Sequence, residues 1–510
     1  MSGGGATSPA RLGLSALPAL AGRSGVRVPD YDVAALEVGI VHLGVGAFHR
    51  AHQAVYTEDC IGEGRWGICA YSQRSASAVH ALAPQDGLYT VLSQRPDSAR
   101  EARVVGTLRE VRSALDDPMD VCSRIADERI TVVTLTVTEK GYRAAAGGRL
   151  DLADEAVRAD VAGFGVPGYR ARSVVGQLVG GLDMRRIGGA GPVSVLSCDN
   201  ISGNGAVLRG LVADFCDAVR AGDELVSWIQ AHAAFPSSVV DRIVPAADDG
   251  DRAEAQRMLG YADAAAVTAE PFRQWIIEDC FVAARPAWES AGAVLTADVG
   301  SYEAMKLRLL NATHSLVAYL GALGGHATIA DAMSDPAIAE AARSLMVFDA
   351  APTLTALFGN GAGVGIVTGI DIDDYQASVL RRFADPALRH RCAQVAGDGS
   401  AKLPIRLLGT IRDRLAAGAE PYWAALAVAA WMAYVAQGGG RAEPSGFQDP
   451  LAEELRRAIA TCATASGIVE GLLAVRAVFP EELAGDMVFR RLLRGHVERL
   501  LGRRWRGTAL

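Results

Sequence analysis

Lysine is nearly missing from this chain. It occurs three times in 510 residues, at Lys140, Lys306 and Lys402, beside 47 arginines. Where arginine serves for almost every cation, the surviving lysines become candidates for work a guanidinium cannot do. Arginine stays charged at any working pH, whereas a desolvated ammonium can lose its proton and act as a base. Lys306, preceded by Glu303 and followed by Asn311 and His314, is the first candidate for chemistry. Also lacking are a basic block and any interleaving of aromatic with basic residues, and the net charge is −8. Nucleic acid is therefore not an expected partner. The eight cysteines contain no CxxC pair. They read as small core residues of a reducing compartment, not as a disulfide framework or zinc cage. Residues 1–26 show no charged-apolar-small succession and read as a flexible leader, so a cytoplasmic protein is expected.

Residues 421–440 carry no charge over nearly the length of a membrane span. The stretch is rich in alanine, polar or glycine-rich at one end, and has no basic anchors. It reads as a buried core helix, with no membrane partner.

What is present has a clear order. From Gly39 to about Gly300, short apolar runs alternate with helical stretches. Ile40–Leu43, Trp66–Tyr71, Ile130–Val137 and Val193–Ser197 have the length and apolarity of strands buried on both faces of a parallel sheet. Ser173–Met184 and Asn204–Ala221 supply helices between them. From Ser301 onward, Ala/Leu/Arg-rich stretches predict helices over 301–322, 329–347, 375–394, 403–417, 421–437, 449–463 and 480–502. The expected organisation is a leader over 1–26, an α/β dinucleotide-binding domain over 27–297 and a mostly α-helical substrate domain over 298–510.

Ile40 to Gln53 reads as strand, Gly44-x-Gly46 turn and helix start. Such a turn lets backbone approach a pyrophosphate. His49 stands where the third glycine of the usual fingerprint would be, so a tight turn without ligand is the competing reading. After the second strand, Ser72-Gln73-Arg74-Ser75 offers no carboxylate for ribose hydroxyls. Arg74 could hold a 2′-phosphate or simply point to water, which leaves NAD and NADP both open.

On a helical wheel at ~100° per residue, Glu303, His314 and Asn311 fall about 60°, 80° and 140° from Lys306. Leucines 307 and 310 share that face. The quartet is either a satisfied core network or a site converging on one hydroxyl. Oxidation of a secondary alcohol needs a base, donors to the developing oxyanion and a hydride acceptor nearby. Lysine, asparagine and histidine meet the first two needs, and the glycine turn upstream suggests the third.

Gly39 through Gln53 resembles the opening of the polyol-specific long-chain dehydrogenases, which include mannitol 2-dehydrogenases and hexuronate reductases such as fructuronate reductase. Thr136 through Tyr142, Ser197 through Ile201, Val240 through Pro245, Lys306 through His314, Arg382-Phe383 and Asp398 through Pro404 continue the likeness in consistent order. The resemblance implies a Rossmann-type N-terminal domain, a mostly α-helical C-terminal domain and an active site between them. It implies NAD, with NADP possible, along Val41, Gly44, Gly46, Ala47, Phe48, His49, Arg50 and Arg74. It also implies Lys306 as general base, Asn200 and Asn311 as donors to the oxyanion, His314 as substrate orienter and Glu303 on a proton path. Asp241 and Lys402 match substrate contacts, and Lys140 is a turn residue near cofactor or a cation for a substrate carboxylate. Independently, Asn200 follows the apolar run Val193–Ser197, at the strand end where open α/β sheets bind ligands. His42, His49 and His52 lack ligand spacing and the family uses no metal, so none is expected.

Within the family, the hexuronate branch commonly has Glu-Lys-Gly-Tyr where this chain has Glu139–Tyr142, and mannitol dehydrogenases more often Glu-Gly-Gly-Tyr. The expected small-molecule partner is therefore a sugar acid, D-mannonate/D-fructuronate, with mannitol/fructose as the alternative. An inactive nucleotide-binding sensor is the alternative of another class, against which the complete quartet argues. A monomer or simple homo-oligomer is expected.

Overall fold

The computed structural model describes residues 9–62, 66–93, 100–145, 147–358, 371–439 and 447–502. Two compact units are present, residues 1–299 and 300–510.

The first unit is built on six parallel strands: β1 (Val38–Leu43), β2 (Gly67–Ser72), β3 (Leu108–Ser113), β4 (Val132–Leu135), β5 (Val193–Ser197) and β6 (Ala233–Ala234). Their order is β3-β2-β1-β4-β5-β6, the Rossmann arrangement. Register runs Val41 against Cys69 on one side and against Val133 on the other. β4 and β5 are wholly buried, which explains their unbroken apolar sequence. β3 was not expected, because Leu108-Arg109-Glu110-Val111-Arg112-Ser113 is half-buried at the sheet edge. Helices α1 (Pro118–Ala126) and α2 (Val174–Ile187) pack on each other over one face. A separate three-stranded sheet pairs Ser238–Asp241 antiparallel with Gln274–Glu278.

The leader expected over 1–26 is different from residue 11 onward, and residues 1–8 lie outside the described residues. Leu12, Ala16 and Leu20 are fully or almost fully buried in a small core with Leu88, Val104 and Leu259. Their four-residue spacing is the amphipathic signal that a glycine- and alanine-rich composition masked.

The second unit is helical. A rod runs Val299–Met305, Lys306–Asn311 and Ala312–Gly324, with the middle segment in π geometry. The helix expected over 375–394 stops at Phe383, where Asp385 caps a short turn beginning at Pro386. Tyr422–Ala436 is a 15-residue helix buried continuously from Ala424 to Val435. Among the described residues, no helix is long and apolar enough to cross a membrane.

Candidate functional site

In the first unit, Gly44, Gly46, Ala47, Arg50 and Arg74 line one cavity of about 480 Å³ together with Thr136, Val137 and Thr138. Gly44 has φ +100°, and a Cβ there would lie 2.2 Å from the Thr136 carbonyl oxygen. Only glycine fits. A Cβ on Gly46 would meet nothing nearer than the Gly44 oxygen at 3.8 Å, so its absence keeps the cavity floor open to an approaching ligand. Gly44 is anchored by donation from its N–H to Tyr71 O at 2.8 Å. Its carbonyl accepts from the Thr136 hydroxyl at 2.7 Å.

Val41, Phe48 and His49 are not among the residues lining this cavity. Val41 points into the sheet core, and Phe48 stacks on His52 at 5.0 Å. His49 lies flat on His42, with ring centroids 3.3 Å apart. The third glycine of the usual turn allows close helix–strand packing; here two stacked imidazoles fill that space. Burial pushes His42 down to about 3 and His49 well below the usual imidazole range, so both rings are neutral. His42 Nε2 faces the Gly44 carbonyl at 3.0 Å, which requires the proton on Nε2 and leaves Nδ1 to accept from Thr134. The helix after the turn is short: Ala47–Ala51 breaks at His52, whose Nε2 donates to Gln274 O at 2.8 Å, and restarts at Gln53. Among the described residues, no group of three or more His, Cys, Asp or Glu is placed to hold a metal ion.

Asn200 is exposed just beyond the C-terminal end of β5. The residue before it was overlooked as a functional element. Asp199 accepts from Val137 N at 3.1 Å, Thr138 N at 2.7 Å and the Tyr142 hydroxyl at 2.8 Å. It thereby clamps the strand-end loop whose Thr138 has φ +66°. Burial raises the Asp199 carboxyl above its usual range. Asn204 was missed too. Its amide donates to Asp199 O and Ser238 O, tying the Asn200 loop to the strand that carries buried Asp241. Arg242 donates to the carbonyls of Glu270 (2.8 Å) and Ala51, a structural role. Lys140 is exposed on the turn Glu139–Tyr142.

In the second unit, Lys306, Asn311 and His314 are buried and Glu303 half-buried. The regular wheel does not hold here, because Lys306–Asn311 is a π turn. Its wider i→i+5 bonding shifts Asn311 and His314, relative to Lys306, from the positions that a regular α-helix would give them. Asn311 Nδ2 and His314 Nε2 are buried without a hydrogen-bond partner among the described residues. Two unsatisfied polar atoms on one rod are costly unless a ligand completes them. His314 stacks on Phe383 at 4.6 Å and meets His390 edge-on at 5.0 Å. Arg406 donates to Ser315 Oγ at 3.0 Å, one residue from His314. Burial, then His390, Arg406, Arg382 and Lys402, hold the His314 imidazole well below its ordinary range. Lys402 Nζ donates to the carbonyls of Val395 and Gly397 at 3.2 and 2.5 Å, closing the end of a short helix.

Residues 38–290 match the mannitol dehydrogenase Rossmann domain model, and residues 298–500 match the mannitol dehydrogenase C-terminal domain model. The chain belongs to the mannitol dehydrogenase family. It is an oxidoreductase by that membership. It is 39% identical over 471 residues to the D-mannonate oxidoreductase of Escherichia coli strain K12, covering 90% of this chain and 93% of that protein. It is also 39% identical over 411 residues to a mannitol 2-dehydrogenase of Cereibacter sphaeroides, covering 80% and 82%. The Pseudomonas fluorescens mannitol 2-dehydrogenase, solved as a ternary complex with NAD and D-mannitol, superposes with a TM-score of 0.83 at 35% identity over 96% of each chain.

Proposed function

We propose that this chain is a nicotinamide-dependent dehydrogenase interconverting D-mannonate and D-fructuronate. The cavity floored by Gly44 and Gly46 fits a dinucleotide pyrophosphate, because Gly44 permits the tight turn against Thr136 and Gly46 adds no side chain over the backbone that a phosphate would approach. A bound nicotinamide dinucleotide, NAD or NADP, would accept the hydride. Lys306, as neutral amine, takes the substrate hydroxyl proton while hydride leaves the same carbon. Asn311 and Asn200 donate to the oxygen as it gains charge. His314, neutral by burial, holds the neighbouring hydroxyl, and Glu303 passes the proton toward water. Asp241, Lys402 and Lys140 serve the substrate.

One observation suits a sugar acid: Arg382, Arg406 and Lys402 all lie close enough to His314 to depress its imidazole, and guanidinium and ammonium groups are the side chains that bind carboxylates. The second reading is mannitol 2-dehydrogenase, favoured by the equal 39% identity to a protein of that name and by the mannitol-bound neighbour. An initial-rate panel of D-mannonate, D-altronate, D-mannitol, D-arabinitol and D-sorbitol with both nicotinamides tests this. The expected result is the highest kcat/KM with mannonate. A preference for mannitol establishes the second reading, and no turnover of any of them removes both.

A further inference from the structure

The first unit has a second cavity, of about 510 Å³, beside the glycine-turn cavity. It opens at the C-terminal ends of β2 and β3, where Gln73 follows one strand and Ala114 and Leu115 follow the other. This is the sheet edge at which open α/β folds take ligands. Gln73 lines both this cavity and the glycine-turn cavity, so the two adjoin.

The walls are prepared for a ligand. Asp160, buried, accepts from the Tyr169 hydroxyl (2.9 Å), Arg172 N (2.8 Å), Ser173 N (2.8 Å) and the Ser173 hydroxyl (2.6 Å), which pins the loop carrying Tyr169, Arg170 and Arg172. Buried Gln177 accepts from Gln73 Nε2 at 3.1 Å and donates to Ala171 O at 3.3 Å, a rigid polar floor. Leu115, 58% exposed, puts an apolar side chain at the mouth. Among the described residues, two arginines and no carboxylate line the cavity. Arg74, the other candidate phosphate reader, has its Nη2 on Thr138 Oγ1 (2.9 Å) and Val137 O (3.3 Å).

We infer that this cavity seats the adenosine end of the dinucleotide and that Arg170 and Arg172 select a 2′-phosphorylated adenosine. This rests on the dinucleotide reading above. A pyrophosphate on the Gly44 turn leaves the strands β2 and β3 for the adenosine half. The base lies against Leu115 and Tyr169. NAD binders place a carboxylate near the ribose, which accepts from its 2′-hydroxyl and repels a phosphate there. Here two arginines line the cavity instead, and guanidinium groups bind phosphate oxygens by charge-assisted hydrogen bonds.

The test uses 2′,5′-ADP and 5′-AMP, which carry no nicotinamide, titrated into the full-length wild type, Arg170→Glu, Arg172→Glu and the remote control Leu152→Asp. The expected result is 2′,5′-ADP bound about tenfold or more tightly than AMP, roughly one charge-assisted contact. That preference is lost in both arginine variants and kept in the control. Equal or weaker binding of 2′,5′-ADP by the wild type overturns the inference, as does a preference that survives both charge reversals. Thermal melting confirms that the variants fold, and Arg170→Gln and Arg172→Gln replace any that do not. If the wild type uses neither NADH nor NADPH with any substrate, the function proposed above fails instead, whatever the two mononucleotides do.

Discussion

The imidazole of His49 lies on that of His42, with ring planes 11° from parallel and centroids 3.3 Å apart. Both are buried and neutral, and they fill the helix–strand contact behind the glycine turn. Protonating either would place a cation against its neighbour in a dry core.

Acid should therefore unfold this protein early. The folded-state values of His42 and His52 are depressed to about 3, and those of His390 and His496 to about 4, mainly by burial. An unfolded histidine titrates near ~6.5. A depressed folded value means the unfolded chain binds more protons below that pH. The stabilisation is then complete above ~6.5 and is lost as pH falls toward about 3. Urea denaturation should give midpoints that are level from pH 7 to 8 and drop steadily at pH 6 and 5. A level profile down to pH 5 contradicts the neutral stack.

Gly44→Ala should abolish dinucleotide binding. The added methyl meets the Thr136 oxygen at 2.2 Å at a φ of +100°, a strain of at least about 1–3 kcal/mol from the backbone alone. Fluorescence titration with NADH and NADPH checks this, and wild-type affinity in the variant would contradict it.

Asp199→Ala should loosen the loop from Val137 to Tyr142. Two backbone N–H groups lose their acceptor, at about 1–3 kcal/mol for each group left unsatisfied, while the Tyr142 phenol keeps Ser197 Oγ at 2.6 Å. A lowered Tm together with weaker cofactor binding is the expected pair of results. An unchanged Tm would show that the clamp carries no strain from Thr138.

Much of this was legible beforehand. The strands β1, β2, β4 and β5 declared themselves as apolar runs because both their faces are covered. The edge strand β3 did not, since its charged residues are half in water. Lys306, Asn311 and His314 were visible as residue types on one helix, but nothing in Lys306-Leu307-Arg308-Leu309-Leu310-Asn311 announces a π turn. Asp199 stayed hidden because two of its partners are backbone N–H groups, which leave no mark on a sequence. Val41, Phe48 and His49 were placed beside the cofactor by the family resemblance; Val41 sits in the sheet core, Phe48 stacks on His52 and His49 on His42, contacts that the sequence pattern does not announce.

Arg406→Met should separate acid from polyol. If the cations near His314 hold a carboxylate, kcat/KM for mannonate falls roughly 10- to 100-fold, the worth of one hydrogen bond to a charged group. Rates with mannitol should change far less. An equal loss for both substrates would mean that Arg406 serves the rod through Ser315 and does not read charge.

The most direct measurement is single-turnover hydride transfer by Lys306→Ala, followed by nicotinamide absorbance from pH 6 to 10, beside a titration of cofactor affinity. The account predicts a loss of roughly 10²–10⁴-fold in the transfer rate, removal of the wild type's rise with pH in the oxidation direction, and cofactor binding within about twofold of wild type. Transfer at a rate comparable to wild type would contradict it.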